Sequence, residues 1–136
     1  MIHYLTLGTN DLARARRFYA PVLASLGLVA LHDGDSESSY GPPGAENAAL
    51  FVTQPYDGQP ATRGNGTMLA LTAATPQAVH AFHTASLAHG GTDEGAPGLR
   101  YSPTFYSCYV RDPDGNKLSA VCDRPENISL PKAGQA

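Results

Sequence analysis

The chain has 136 residues, 42% hydrophobic and 15% charged, which fits one ordinary globular domain with a core of its own. Nine Lys and Arg against twelve Asp and Glu give a net charge of −3, and no basic run exceeds Arg16-Arg17, which argues against a nucleic-acid partner. No apolar stretch has the length of a membrane span, the N-terminus enters a strand pattern without a charged leader, and the two cysteines read as free thiols, so a cytoplasmic protein without a membrane partner is expected.

Residues 2–8 read as a strand. Asn10 or Asp11 then caps a helix in which Leu12, Ala15, Phe18, Tyr19, Val22, Leu23 and Leu26 form one apolar stripe, and Gly27 stops it. Pro21 removes a helical N–H and collides with the turn before it, which predicts a kink or break near Ala20. Residues 28–32, 38–40 and 48–53 read as three short strands between Gly, Pro and Asp punctuation. Residues 54–66, with two Pro and three Gly, form a long connection expected to be the most mobile region.

The second half opens with a strand over 67–72, and Thr75-Pro76 supplies the N-cap and first turn of a helix whose buried face is marked by Val79, Phe82, Ser86 and Leu87. Gly90-Gly91 ends it. Residues 100–104 read as irregular, and 105–110 with 117–122 form a hairpin across Asp112-Pro113-Asp114-Gly115-Asn116. The polar, Pro-interrupted tail from Arg124 is expected to lie over the surface. The halves echo each other at a spacing of 64 residues: Tyr4, Leu5, Leu7, Asp11, Phe18, Leu23 and Gly27 fall on Met68, Leu69, Leu71, Thr75, Phe82, Leu87 and Gly91.

The ordered set of N-D-L at 10–12, F-Y at 18–19, L-x-x-L-G at 23–27, G-x-G-T at 64–67, F-H at 82–83, G-G at 90–91 and R-D-P-D-G-N-K at 111–117 resembles the vicinal oxygen chelate superfamily, the glyoxalase, bleomycin-resistance and dioxygenase group. The resemblance covers residues 1–123. It implies an α+β fold in which two βαββ(β) modules, about 1–53 and 67–123, pair around a small-molecule cavity, with a linker at 54–66 and a tail at 124–136. It also implies a homodimer, with exposed sheet edges as the contact.

In metal-dependent members of that family the ligands come from positions that match Tyr4, Met68 and Ser119, and lyase members draw a fourth from the stretch Ala49, Leu50 and Phe51. A thioether with two neutral hydroxyls offers no fixed negative charge to a dication, so neither a metal nor a cofactor is expected. His3 lies one residue from the ligand position and points to the other side of the strand unless a bulge intervenes. His80 and His83 have a spacing that can share a metal, but no Cys or carboxylate completes a set; His83 falls on the buried side of the stripe and His80 at its edge. They read as packing or surface histidines, and His32 and His89 receive no role.

The stretch holding Arg100, Tyr101 and Tyr106 lines the cavity mouth in the resembled family, and with Tyr4 and Tyr40 it would offer hydroxyl donors and one cation around an apolar hollow. If Arg111 faces Asn116 across the turn, Cys108 lies opposite Ser119 and both face the cavity. Thiolate formation needs a base or positive field, and only Arg100 is a plausible neighbour, so Cys108 reads as a small wall residue; its offset from Cys122 argues against a bridge. The reading is a metal-free binder of a small molecule, with Tyr4, Met68, Arg100, Tyr101, Tyr106, Cys108 and Ser119 lining the cavity. The alternatives are a metal-dependent lyase or dioxygenase, a metal-free enzyme using cavity Tyr or Cys residues, and a structural or regulatory module.

Overall fold

The computed structural model describes residues 1–124, so the tail expected over the surface lies outside the described residues from position 125. The first half contains β1 (Leu5–Gly8), α1 (Leu12–Ala24), β2 (Val29–Asp33), β3 (Glu37–Gly41) and β4 (Leu50–Thr53). The second contains β5 (Leu69–Thr72), α2 (Pro76–Ala88), β6 (Thr92–Leu99), β7 (Phe105–Arg111) and β8 (Lys117–Asp123). The sequence echo holds in three dimensions, since Leu5 and Leu69 open equivalent strands and Leu12 and Pro76 open equivalent helices. Each half is a four-stranded mixed sheet, ordered β1-β4-β3-β2 and β5-β8-β7-β6, in which the first and last strands run parallel. This is the expected α+β, two-module architecture.

Both helices start where a side chain can satisfy a backbone N–H that has no intrahelical partner. The Asp11 carboxylate accepts from the Arg14 N–H at 2.9 Å, and the Thr75 hydroxyl accepts from the Ala78 N–H at 3.1 Å with Pro76 in the first turn. The α1 stripe is buried as patterned, from Leu12 to Leu23. The helix is not broken at Pro21: the Arg17 carbonyl that loses its partner belongs to an exposed residue, while Phe18, Tyr19, Val22 and Leu23 are wholly buried on both sides of the proline. Tertiary packing thus carries the helix through the missing bond.

The structure differs from the sequence reading or adds to it at three places. First, α2 buries Pro76, Val79, His80, Phe82 and Ser86, whereas Leu87 is 43% exposed. Ser86 can replace Leu87 in the core because its hydroxyl donates to the Phe82 carbonyl at 2.8 Å. Second, β6 was not legible, because its T-D-E-G-A-P-G-L sequence reads as loop; it is an edge strand with two register shifts, between Asp93 and Gly95 and between Gly95 and Gly98, which absorb the Gly and Pro residues. Third, Arg111 pairs with Lys117 rather than Asn116, which sets Cys108 opposite Ala120 and Tyr109 opposite Ser119. The turn closes tightly because the Asp112 carboxylate accepts the N–H groups of Asp114 and Asn116 at 2.9 and 2.8 Å. A one-residue slip in pairing moves Cys108 and Ser119 to opposite faces of the sheet.

That turn also joins the halves. Asp114 accepts from the Thr9 hydroxyl at 2.5 Å, the Asn10 N–H at 2.9 Å and the Arg14 guanidinium at 2.8 Å, and the Asn116 side chain donates to the Gly8 carbonyl at 3.0 Å. Asn10 in turn holds the connection between halves, accepting from the Ala61 N–H at 2.7 Å and donating to its carbonyl at 3.0 Å. The two helices pack on each other and, each on its own sheet, share one continuous core; among the described residues no strand of one sheet pairs with a strand of the other. Each sheet therefore turns one face to the helices and leaves the other open.

Candidate functional site

Strand alternation sorts the site residues between inner and open faces. On the first sheet Leu50, Val52, Ser38 and Tyr40 point to the helices, leaving Tyr4, Thr6, Glu37, Phe51 and Thr53 to line a shallow hollow of about 250 Å³ on the open face. Tyr4 packs edge-on against Phe51 at 5.1 Å, and His3 packs edge-on against Tyr4 at 5.7 Å. Tyr40, expected beside the hollow, is instead a core residue 6.0 Å from the Tyr19 ring.

On the second sheet Tyr106, Cys108 and Val110 of β7 alternate with Ser107 and Tyr109, and Leu118, Ala120 and Cys122 of β8 alternate with Lys117 and Ser119. The first member of each set belongs to the core. Tyr106 and Cys108 thus leave the predicted cavity: the Tyr106 hydroxyl lies 2.6 Å from His80 Nε2, and the Cys108 Sγ sits 3.7 Å from the Val79 carbonyl of α2. Burial pushes the Cys108 thiol up to about 11, so it is a poor nucleophile at neutral pH. Both cysteines are free and buried. His80 and His83 go to different partners, since His83 Nε2 bonds Asp93 at 2.8 Å, and the buried member is His80 rather than His83. Burial lowers the His80 pKa below its ordinary value, with the neighbouring His83 adding to the effect.

The open face of the second sheet holds Ser119, Tyr109, Ser107 and Lys117, with Met68 leading into β5, whose Ala70 pairs with Ser119. Ser119 is fully buried and its hydroxyl finds no hydrogen-bond partner among the described residues. Arg100 spans the bulged edge, donating to the carbonyls of Ala96 at 2.6 Å, Gly98 at 3.3 Å and Ser107, with its guanidinium carbon 5.0 Å from the centre of the Tyr109 ring. Lys117 Nζ lies 5.5 Å from the same ring centre. Gly95 makes this arrangement possible, because a Cβ there would come within 2.9 Å of Tyr109 Cδ2 and 3.1 Å of an Arg100 nitrogen. A hydrogen bond from Ser107, then one from Tyr101 and the Arg100 and Lys117 cations, hold the Tyr109 phenol below its ordinary range against its desolvation. Tyr101 is 88% exposed and adopts φ 64°, a left-handed conformation costly for a side-chain-bearing residue.

Tyr109 is not among the residues the sequence singles out, which include Tyr101 and Tyr106; the hairpin register, with Tyr109 opposite Ser119, is the signal that finds it. Of the predicted lining, Met68, Arg100, Tyr101 and Ser119 gather on or beside the second open face. Tyr4 lies on the first, and the hollow there includes no residue of the second half.

The family's metal positions, Tyr4, Met68 and Ser119, present a phenol, a thioether and an aliphatic hydroxyl. No group of three or more His, Cys, Asp or Glu residues able to hold a metal occurs among the described residues. This donor set does not fit the imidazole and carboxylate coordination that such sites need.

Residues 1–119 match the family model of the Glyoxalase/Bleomycin resistance protein/Dioxygenase superfamily. The chain belongs to this superfamily. Among solved structures, a glyoxalase/bleomycin resistance protein from Albidiferax ferrireducens T118 is 39% identical, with a TM-score of 0.79 over 88% of this chain and 95% of that one. A superfamily enzyme from Burkholderia phytofirmans PsJN shares the fold at 16% identity and TM-score 0.70, covering 90% of this chain and 98% of that one. A glyoxalase-related enzyme from Fulvimarina pelagi does so at 21% identity and TM-score 0.67, covering 87% of this chain and 85% of that one. No functionally curated protein matches the chain. Superfamily members vary their chemistry on one scaffold, so the residues on the open faces carry the functional argument.

Proposed function

We propose that this superfamily member binds a small molecule without a divalent metal, in a hollow that closes between two copies of the chain. The first open face of one copy covers the second open face of the other. The observation that carries this reading is the separation of the two faces within one chain, combined with the neutral residues at all three metal positions. Both faces leave apolar side chains in water, Tyr4 at 53% and Met68 at 43% exposure. Their charges are complementary: Glu37 lies on the first face, and Arg100, Arg111 and Lys117 lie on the second. The sheet faces, rather than the edges expected from the sequence, are the contact this arrangement favours. The two free thiols and a cytoplasmic setting accord with each other.

Sedimentation equilibrium, elemental analysis of protein purified without chelator, and calorimetry against a panel of small hydrophobic and anionic compounds test the proposal together. A metal-free dimer that binds a panel member in each of its two hollows is expected. A stoichiometric transition metal supports the lyase or dioxygenase alternative instead, and a monomer overturns the two-copy hollow.

A further inference from the structure

A recess of about 460 Å³ opens beyond the end of β7, lined by Arg63, Asn65, Glu94 and Arg111, none of which lines the hollow on the first sheet. Its walls come from three segments: the connection between the halves, the bulged edge strand β6 and the last residue of β7. The connection reaches it because Asn10 holds Ala61 by two bonds and a tight turn follows, in which the Thr67 N–H donates to the Gly64 carbonyl at 3.0 Å and Gly66 takes φ 91°. A Cβ at Gly64 would stand 2.5 Å from the Thr67 hydroxyl oxygen, so this turn closes only without a side chain there, and the residues on either side of it, Arg63 and Asn65, line the recess.

Two guanidinium groups meet around Gly115 of the hairpin turn. Arg111 is held from two sides, its Nε donating to Glu94 at 2.6 Å and its Nη1 to the Gly115 carbonyl at 2.8 Å. The Arg63 stem runs across the same glycine, where a Cβ would lie 3.2 Å from Arg63 Cδ and 3.9 Å from Arg63 Nη1. Glu94, the carboxylate of the lining, is paired with Arg111, and Arg63 meets no carboxylate among the described residues. Like charges gathered in one recess repel each other, and an anion seated between them replaces that repulsion with attraction.

We propose that this recess binds a phosphate group, free or carried by a small organic molecule, with the Arg63 and Arg111 guanidinium groups as its clamps and the Asn65 amide as a third donor. The two bonds that fix the Arg111 plane use Nε and Nη1, which leaves Nη2 for the ligand. A guanidinium fork held in one plane matches phosphate oxygens closely, and its charge persists at any physiological pH. Two arginines against one glutamate leave the lining with a net positive charge, so it selects an anion. Donors arriving from separate segments suit the tetrahedral oxygens of phosphate better than the two coplanar oxygens of a carboxylate. The recess is separate from the hollow proposed between two copies, so either assignment stands or falls alone.

The test titrates nitrogen-15-labelled protein with inorganic phosphate and with phenyl phosphate, followed by proton–nitrogen correlation spectra at an ionic strength held constant with sodium chloride. Saturable shifts of the Arg63, Asn65, Arg111 and Gly115 amides at millimolar phosphate are expected. Arg63→Gln and Asn65→Ala, at exposed positions outside any helix or strand, should keep the native spectrum while weakening phosphate by about tenfold and about threefold. Phenyl phosphate bound more tightly than inorganic phosphate supports the site as one for an organic phosphate, and equal affinities support it as one for the free ion. Shifts that sodium chloride reproduces, saturable shifts confined to other residues, or affinities that both substitutions leave unchanged overturn the site.

Discussion

The Cys108 thiol of β7 lies wholly buried against α2, and its chemistry follows from that position. A thiol that ionises at an ordinary 9.0 when unfolded and near 11 when folded keeps its proton longer in the native state. Between those values the folded protein binds more protons than the unfolded one, so stability falls as pH rises, by at most about 1.4 kcal/mol per pH unit. Denaturant titrations of the wild type and Cys108→Ala at several alkaline pH values should show the wild-type advantage present below pH 9 and shrinking above it. A constant difference would remove Cys108 from the desolvated core. Tyr106 and Tyr109, three residues apart on β7, take opposite roles for the same geometric reason: one bonds His80 in the core, and the other stands between two cations on the open face.

Among the elements, α1 holds together against a local helix breaker. Pro21 sits inside a 13-residue helix that remains intact, held by the buried residues flanking it and by the Asp11 cap. An interior proline costs a helix about 3 kcal/mol relative to alanine, partly offset because proline also restricts the unfolded chain. Pro21→Ala should therefore raise stability by about 1–3 kcal/mol in urea denaturation. A destabilised variant would mean that the proline ring itself is a packing element. The edge strand β6 is the converse case, since its sequence has little strand preference and its conformation comes from pairing with β7. Its two bulges serve the site by bringing Gly95 beneath Tyr109 and Arg100.

For the whole molecule, the continuous core predicts that the two halves unfold together. The strongest joint is Asp114, whose carboxylate is almost wholly buried at 4% exposure and collects donors from Thr9, Asn10 and Arg14 of the first half. Asp114→Ala should cost about 1–3 kcal/mol, because it leaves the buried Thr9 hydroxyl and the half-exposed Arg14 guanidinium without their shared acceptor. Far-ultraviolet and tyrosine near-ultraviolet circular dichroism should follow one transition in the wild type. Separate transitions there would mean that the halves are independent and the shared core is weak. Neither described helix is long and apolar enough to cross a membrane.

The repeat, both helix caps, the α1 stripe and the Asp112–Asn116 turn were legible because each depends on neighbours within a few residues: a capping side chain, a helical period or a turn residue that captures its own backbone. From those local signals, the ordered motifs and the neutral residues at Tyr4, Met68 and Ser119 pointed to the superfamily and away from its metal chemistry. Tertiary structure alone decided which residues share a wall. The register of β7 on β8 moved Cys108 and Tyr106 into the core and raised Tyr109 beside Ser119, and the helix layer separated Tyr4 from both. Those outcomes depend on pairings between distant segments, where a shift of one residue reverses every side chain and local sequence carries too little energy to fix the choice.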